Sequence, residues 1–211
     1  DILSGTDYRF TLPRGTFNSQ LLNTRGQQNL YGIDPIQHYV EYYMPNVFEG
    51  TSLTIGRMYC RFGYESLEGP TTPLLSRSYA FNWAPPFTHY GVMLSSQLNK
   101  QWFAESMLAN GNDVTIGDPA EEYRWTGKLA WTSEDEKTSQ TFGFTLGRGK
   151  FNAGDPFAPQ TSSLMSENAG RNNINVFDYV LTHKFTDNFT YGFEALYGYQ
   201  YGVPTTVAVG G

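Results

Sequence analysis

The chain has 211 residues, a net charge of −6 and 16% charged residues, enough to bury a sizeable core and short for two domains. The acidic balance, with no basic patch interleaved with aromatics, argues against a nucleic-acid partner, and no run approaches the roughly 18 apolar residues of a membrane-crossing helix. A single cysteine, Cys60, excludes an internal disulfide, while 22 glycines and 16% aromatics with few helix-periodic runs point to an all-β chain.

The chain opens at Asp1 with no charged-then-apolar leader, as expected of a processed product. Residues 6–13 form a plausible short strand closed by Pro13 and Gly15, and 15–36 is a long polar loop. Residues 37–44 read as a strand, 45–50 as a short connection and 51–60 as the next strand. In that strand Leu53 and Ile55 share one face with Arg57, so its alternation is not clean. Residues 61–87 carry Pro70, Pro73, Pro85 and Pro86, which cannot donate to a central ladder, and the segment reads as one long structured loop.

Alternation resumes at 88–98, where Tyr90, Val92 and Leu94 oppose Gly91, Met93 and Ser95. Asn99-Lys100 turns the chain into 101–110, which sets Trp102, Ala104 and Leu108 opposite Glu105. After a loop at 111–121, residues 122–132 set Trp125, Leu129 and Trp131 against Arg124, Thr126 and Lys128. The acidic 133–137 is a turn, and 138–148 sets Phe142, Phe144 and Leu146 against Gly143 and Thr145. A long polar loop at 149–171 precedes 172–185, where Phe177, Tyr179 and Leu181 oppose Asp178, Thr182 and Lys184.

The clearest alternation closes the chain. Phe189, Tyr191, Phe193, Tyr197, Tyr199 and Tyr201 occupy every odd position from 189 to 201 except Ala195, with Thr190, Gly192, Glu194, Leu196, Gly198 and Gln200 between them. A core face of a soluble strand would favour Val, Ile and Leu, which this face lacks. A membrane-spanning strand needs about 9–11 residues, apolar outside and small or polar inside, with aromatics near the headgroups.

Connection lengths sort by parity: long at 15–36, 61–87, 111–121 and 149–171, short at 45–50, 99–100, 133–137 and 186–188. An up-and-down transmembrane β-barrel shows that alternation, with tight turns on one side and long loops on the other. Nine strands are read, an odd number, and the last runs into residues 203–211, so residues 1–211 are expected to be a single barrel domain incomplete on its C-terminal side.

The order of several landmarks resembles the OmpL-like outer-membrane β-barrel porin family. These are Tyr31-Gly-Ile-Asp-Pro-Ile-Gln37, Gly56-Arg-Met-Tyr59, Gly63-Tyr-Glu65, Ser76-Arg-Ser-Tyr79 and Pro86-Phe-Thr-His-Tyr-Gly91. The resemblance spans about residues 6–202 and implies the first half of such a barrel, a bacterial outer-membrane location and a porin activity without naming a solute.

Within a barrel, the loop 61–87 is the candidate constriction, because a long outer loop folded into a lumen sets selectivity through its charges. Its candidates are Arg61 and Arg77 against Glu65 and Glu68, with Tyr64, Tyr79 and Trp83 to pack on the wall. The alternative is an outer loop held by its own salt bridges. Glu105, Arg124, Lys128, Asp178 and Glu194 fall on inward positions and are candidates to line a watery lumen, or to plug a narrow one as pairs. Trp125, Trp131 and the aromatics of 189–201 are expected to touch lipid.

Catalytic signatures are missing. There is no G-x-S-x-G, and His38, His89 and His183 stand apart without a metal-ligand spacing. Gly147-Arg-Gly-Lys150 lacks the Ser or Thr and the leading Gly of a phosphate loop, and Asn188-Phe-Thr190 reads as turn chemistry. No enzyme activity and no cofactor are expected; the partners expected are membrane lipid and small hydrophilic solutes or ions. The leading reading is a passive channel. A soluble or surface-attached aromatic-rich β-barrel or sandwich that binds a ligand, and a closed structural barrel, are the alternatives.

Overall fold

A computed structural model describes residues 1–5, 32–65, 76, 78, 80–81, 86–112, 123–147 and 174–200. Two short strands, β1 (Leu3–Gly5) and β2 (Gly32–Asp34), form a separate antiparallel ribbon. The remaining strands are β3 (His38–Met44), β4 (Thr51–Tyr59), β5 (Thr88–Gln97), β6 (Trp102–Ala109), β7 (Arg124–Thr132), β8 (Thr138–Leu146), β9 (Ile174–Thr186) and β10 (Phe189–Gln200). Each pairs antiparallel with the next, giving one 8-stranded up-and-down sheet in chain order.

The eight strands of this meander are the last eight read from alternation. The first strand expected, at residues 6–13, lies outside the described residues. The ribbon of β1 and β2 was not legible, since 3-residue strands carry no periodicity.

Short turns gather at one end of the sheet and are built from local hydrogen bonds. Asn99 Oδ1 accepts from the amides of Gln101 and Trp102 at 2.9 and 3.0 Å, an Asx turn. Ser133 Oγ donates to Asp135 Oδ1 at 2.6 Å, and the Lys137 amide donates to the same oxygen at 3.2 Å. The turn after β3 is tied to its neighbour, with the Glu49 amide donating to the Gln97 carbonyl and the Gln97 amide to the Gly50 carbonyl, both at 2.9 Å.

The two faces of the sheet differ in an inverted way. On the outer face Val40, Tyr42, Ile55, Leu108, Trp125, Phe193 and Tyr197 are exposed. On the other, Glu105, Arg124, Thr126, Thr145 and Asp178 are buried. Among the described residues the other sheet is the 2-stranded ribbon, which meets this face at Arg57 near one end rather than spanning it as a sandwich would require. A soluble fold hides apolar surface and wets its charges; this sheet does the reverse, as expected where lipid is the outer solvent.

Arg57 shows why its strand looked irregular. By parity it belongs to the outer face, yet its side chain is fully buried. Its guanidinium pairs with Asp34 of β2, donates to the Pro35 carbonyl at 3.1 Å and to Thr88 Oγ1 at 3.1 Å. The segment that continues from the ribbon thus covers the outer face where β4 nears the long-loop end.

Candidate functional site

Register decides which inward residues meet. Across the inner face, one row runs Ser95, Glu105, Lys128, Gly143, Asp178 and Leu196, each opposite the next on the adjacent strand. Three of the expected lumen candidates therefore lie on one transverse line. Glu194 sits one position off it, opposite Val180. Arg124 lies apart, near the long-loop ends, where it donates to Asn175 Oδ1 at 3.0 Å and to Thr145 Oγ1 at 3.4 Å. It is buried in that network rather than lining open space.

A strap crosses this row. After β4 the Cys60 amide still donates to the Phe87 carbonyl at 2.9 Å. Residues 61–65 then leave the ladder and run over the inner face, with Gly63 at φ +103° supplying a backbone state that other residues rarely adopt. Arg61 Nη2 lies 3.2 Å from Glu105 Oε1, over β6. Phe62, 6% exposed, lies over Gly143 of β8. Tyr64 lies over Gly192 of β10, and its amide donates to Glu194 Oε1 at 3.0 Å. Glu65 Oε1 in turn accepts from the Ser78 amide at 2.9 Å, tying the strap to a later part of the same long connection.

The glycines are the bed of the strap. A Cβ on Gly143 would strike Cβ and Cγ of Phe62, and one on Gly192 would strike the phenol end of Tyr64. Both positions face inward, and their bareness is what lets the strap sit against the wall.

Charge is divided along the strap. At its start two cations share one carboxylate: Lys128 Nζ lies 3.2 Å from Glu105 Oε2, Arg61 holds the other oxygen, and Ser95 Oγ donates to Oε1 at 3.2 Å. Glu105 is almost wholly buried, Lys128 is 19% exposed with its ammonium 5.3 Å from the Phe103 ring centre, and Arg61 is 52% exposed. At the far end the carboxylates of Asp178 and Glu194 lie close enough to interact. Asp178 is buried, and among the described residues neither of its oxygens closes a hydrogen bond, although the Gly63 amide is beside it. One end of the strap thus gathers two cations on one carboxylate, and the other end gathers two carboxylates.

Of the expected constriction residues, Arg61 and Glu65 are on the strap; Glu68 and Arg77 lie outside the described residues. Of the expected lipid-touching residues, Trp125, Phe189, Tyr191, Phe193 and Tyr197 are exposed on the outer face, Trp131 and Tyr199 are half-buried there, and Tyr201 lies outside the described residues. Tyr64 packs on the wall as the loop reading expected; Tyr79 and Trp83 are not described. Phe62, Gly143 and Gly192 were missed. The only signal for the glycines was a bare position in an inward row, which many strands show.

A groove of about 320 Å³ opens beside the strap, lined by Tyr39, Glu41, Tyr43, Arg61, Gln97 and Phe103 among others. Among the described residues no group of three or more His, Cys, Asp or Glu side chains is placed to hold a metal. Residues 1–209 match the family model described as "Putative beta-barrel porin-2, OmpL-like". No curated protein and no solved structure gives a significant match.

Proposed function

Since the chain belongs to the OmpL-like β-barrel porin family, we propose that it is a passive channel of the bacterial outer membrane for small hydrophilic solutes or ions. The observation that carries this reading is the strap of residues 61–65 anchored across the charged inner face. Arg61, at 52% exposed, keeps a guanidinium open to water beside the wall, as a water-filled gap would need. Two cations against one carboxylate at one end, and two further carboxylates at the other, make a field across the gap that favours hydrated, polar solutes over apolar ones. No step in this function calls for catalysis.

The eight strands serve as one wall of a larger barrel. Among the described residues β3 and β10 each have one unpaired edge. Open ladder groups in hydrocarbon cost several kcal/mol each, so strands beyond those described complete the closure.

Arg61 is the residue expected to set ion preference, because it is half-exposed and cannot shed its charge near neutral pH. In planar bilayers, Arg61→Ala is expected to move the reversal potential towards cation preference, most strongly at low salt where screening is weak. A protein that inserts but conducts nothing would remove the channel reading. An unchanged reversal potential in Arg61→Ala would remove Arg61 from the constriction.

A further inference from the structure

We propose that the groove beside the strap is a binding site for zwitterionic solutes, amino acids and short peptides. Their ammonium seats at Glu41, between Tyr39 and Tyr43, and their carboxylate seats on Arg61. Such a site deepens the channel reading and rests on it, because it names the solutes that the channel favours.

The register builds the groove as a trough. Tyr39, Glu41 and Tyr43 alternate along β3 on its inner side, each roughly 6.6 Å from the next. Ser52 and Thr54 of β4 and Ser95 of β5 floor the groove with short hydroxyl side chains. One transverse row joins its two sides: Tyr43 is opposite Ser52, Ser52 opposite Ser95, and Ser95 opposite Glu105, the residue on which Arg61 rests. The tyrosines and Glu41 thus stand on one side of the trough and the guanidinium on the other.

The charges on the two sides select the solute. Tyr39 is 49% and Tyr43 58% exposed, Glu41 is exposed, and among the described residues its carboxylate makes no ion pair. A carboxylate with an aromatic ring two residues to either side attracts an ammonium through both its charge and the ring faces. Glu49 adds a second negative charge to the lining at the short-turn end. Across the trough, Arg61 gives one nitrogen to Glu105 Oε1 at 3.2 Å and stays half-open to the groove. Its planar fork carries five N–H donors, so a second carboxylate can still be held. A simple cation meets repulsion from Arg61 and a simple anion meets it from Glu41 and Glu49, whereas a solute bearing both charges can satisfy each side. At about 320 Å³ the groove lies at the lower end of the roughly 300–1,000 Å³ of small-molecule sites, which suits an amino acid or a dipeptide.

The test titrates the full chain in detergent, near neutral pH and at low salt, with three dipeptides read by calorimetry. Glycylglycine carries both charges, its N-acetyl form only the carboxylate, and its C-terminal amide only the ammonium. Glycylglycine is expected to bind at least about tenfold more tightly than either capped form. Glu41→Gln should close most of its lead over the N-acetyl form and leave its lead over the amide, with unchanged β-sheet circular dichroism. Equal binding of all three dipeptides, tighter binding of glucose, or an unchanged preference in Glu41→Gln would overturn the site. In planar bilayers, glycylglycine should lower the ion current over the concentrations at which it binds. Conductance without dipeptide binding would overturn the site and leave the channel; dipeptide binding without conductance would overturn the channel and leave the site.

Discussion

Gly143→Ala tests the strap most directly, because the change is made on the wall and read on the loop. The new methyl would meet Phe62 at Cβ and Cγ, next to the main chain of the strap, so no side-chain rotation relieves the clash and the segment itself must lift. Phe62 is buried, and returning a phenylalanine to water costs roughly 1.5–3 kcal/mol. The occupancy of the seated strap should therefore fall by about ten- to hundredfold relative to the lifted one. Gly192→Ala is the internal comparison. There the methyl meets the phenol tip of Tyr64, which can swing aside while the Tyr64 amide stays on Glu194. Single-channel recording should show a larger or flickering conductance for Gly143→Ala and a nearly native one for Gly192→Ala. Both should keep their resistance to unfolding in detergent, since neither glycine is in the outer band. Equal, native-like conductance from both variants would refute the idea that the strap occupies the permeation path.

Phe193→Arg, on the outer face near the middle of β10, should weaken the barrel by about 2–4 kcal/mol in a refolding assay, whereas Thr141→Arg, on the inner face, should cost far less. Equal costs would reverse the face assignment. Glu194 is a poor inner comparison because it anchors the Tyr64 amide. Single cysteines at Asn99, Glu134 and Asp187 should be shielded from an impermeant thiol label on intact cells, and those at Ser76 and Tyr123 should react; mixed labelling within either group would break the assignment of short turns to one side. The Ser133 hydroxyl and then the Lys137 amide hold the Asp135 carboxyl below the usual carboxylate range. Its folded value being the lower one, the turn gains from the charged form above the ordinary value of about 4 and loses that gain as pH falls through the depressed value. Exchange of the Lys137 amide should therefore speed up only below about pH 4, and Asp135→Asn should abolish that dependence.

What was legible follows from what leaves a period. Strands β3–β10 alternate over 7 to 13 residues, and a one-residue slip would put Glu105 or Asp178 on the apolar face, so pattern and register agree. Turn chemistry was equally local: Asn99 and the Ser133–Asp135 pair sit within two or three residues of the amides they satisfy. The strap is different in kind. Residues 61–65 are held by Glu105, Gly143, Gly192 and Glu194, all far along the chain, and nothing in Arg-Phe-Gly-Tyr-Glu itself states that partnership. Charge type alone picked out Arg61 and Glu65, while the ring that seats the strap, Phe62, was hidden among the many aromatics. The pairing of Glu105 with Lys128 needed the antiparallel register, which alternation within single strands does not supply.

The polar groups of the outer face can be read against the two solvents that face could meet. In water a threonine, serine or glutamine on a sheet surface needs no partner, since solvent supplies one. In hydrocarbon each unmatched group costs several kcal/mol. On the outer face Thr51 Oγ1 donates to Ser96 Oγ at 3.0 Å, Trp125 Nε1 to Ser106 Oγ at 3.0 Å, and Tyr179 Oη to Gln140 Oε1 at 3.0 Å. Thr138 Oγ1 and His183 Nδ1 meet at 2.9 Å beside the short turns. Arg57, the one outer-face guanidinium among the described residues, is buried on Asp34 beneath the segment that follows β2. Such pairing is what a lipid-facing surface requires, and Ser139 and Thr182 pair likewise at 2.6 Å on the inner face. The apolar residues between these pairs, Val40, Ile55, Val92 and Leu108 in one cross-strand row, are the band expected to meet lipid on the channel reading, and the Arg57–Asp34 pair stands one row beyond it. On that reading the pair, carrying charge that lipid would not tolerate in the open, is expected at the long-loop boundary of the membrane, near β2.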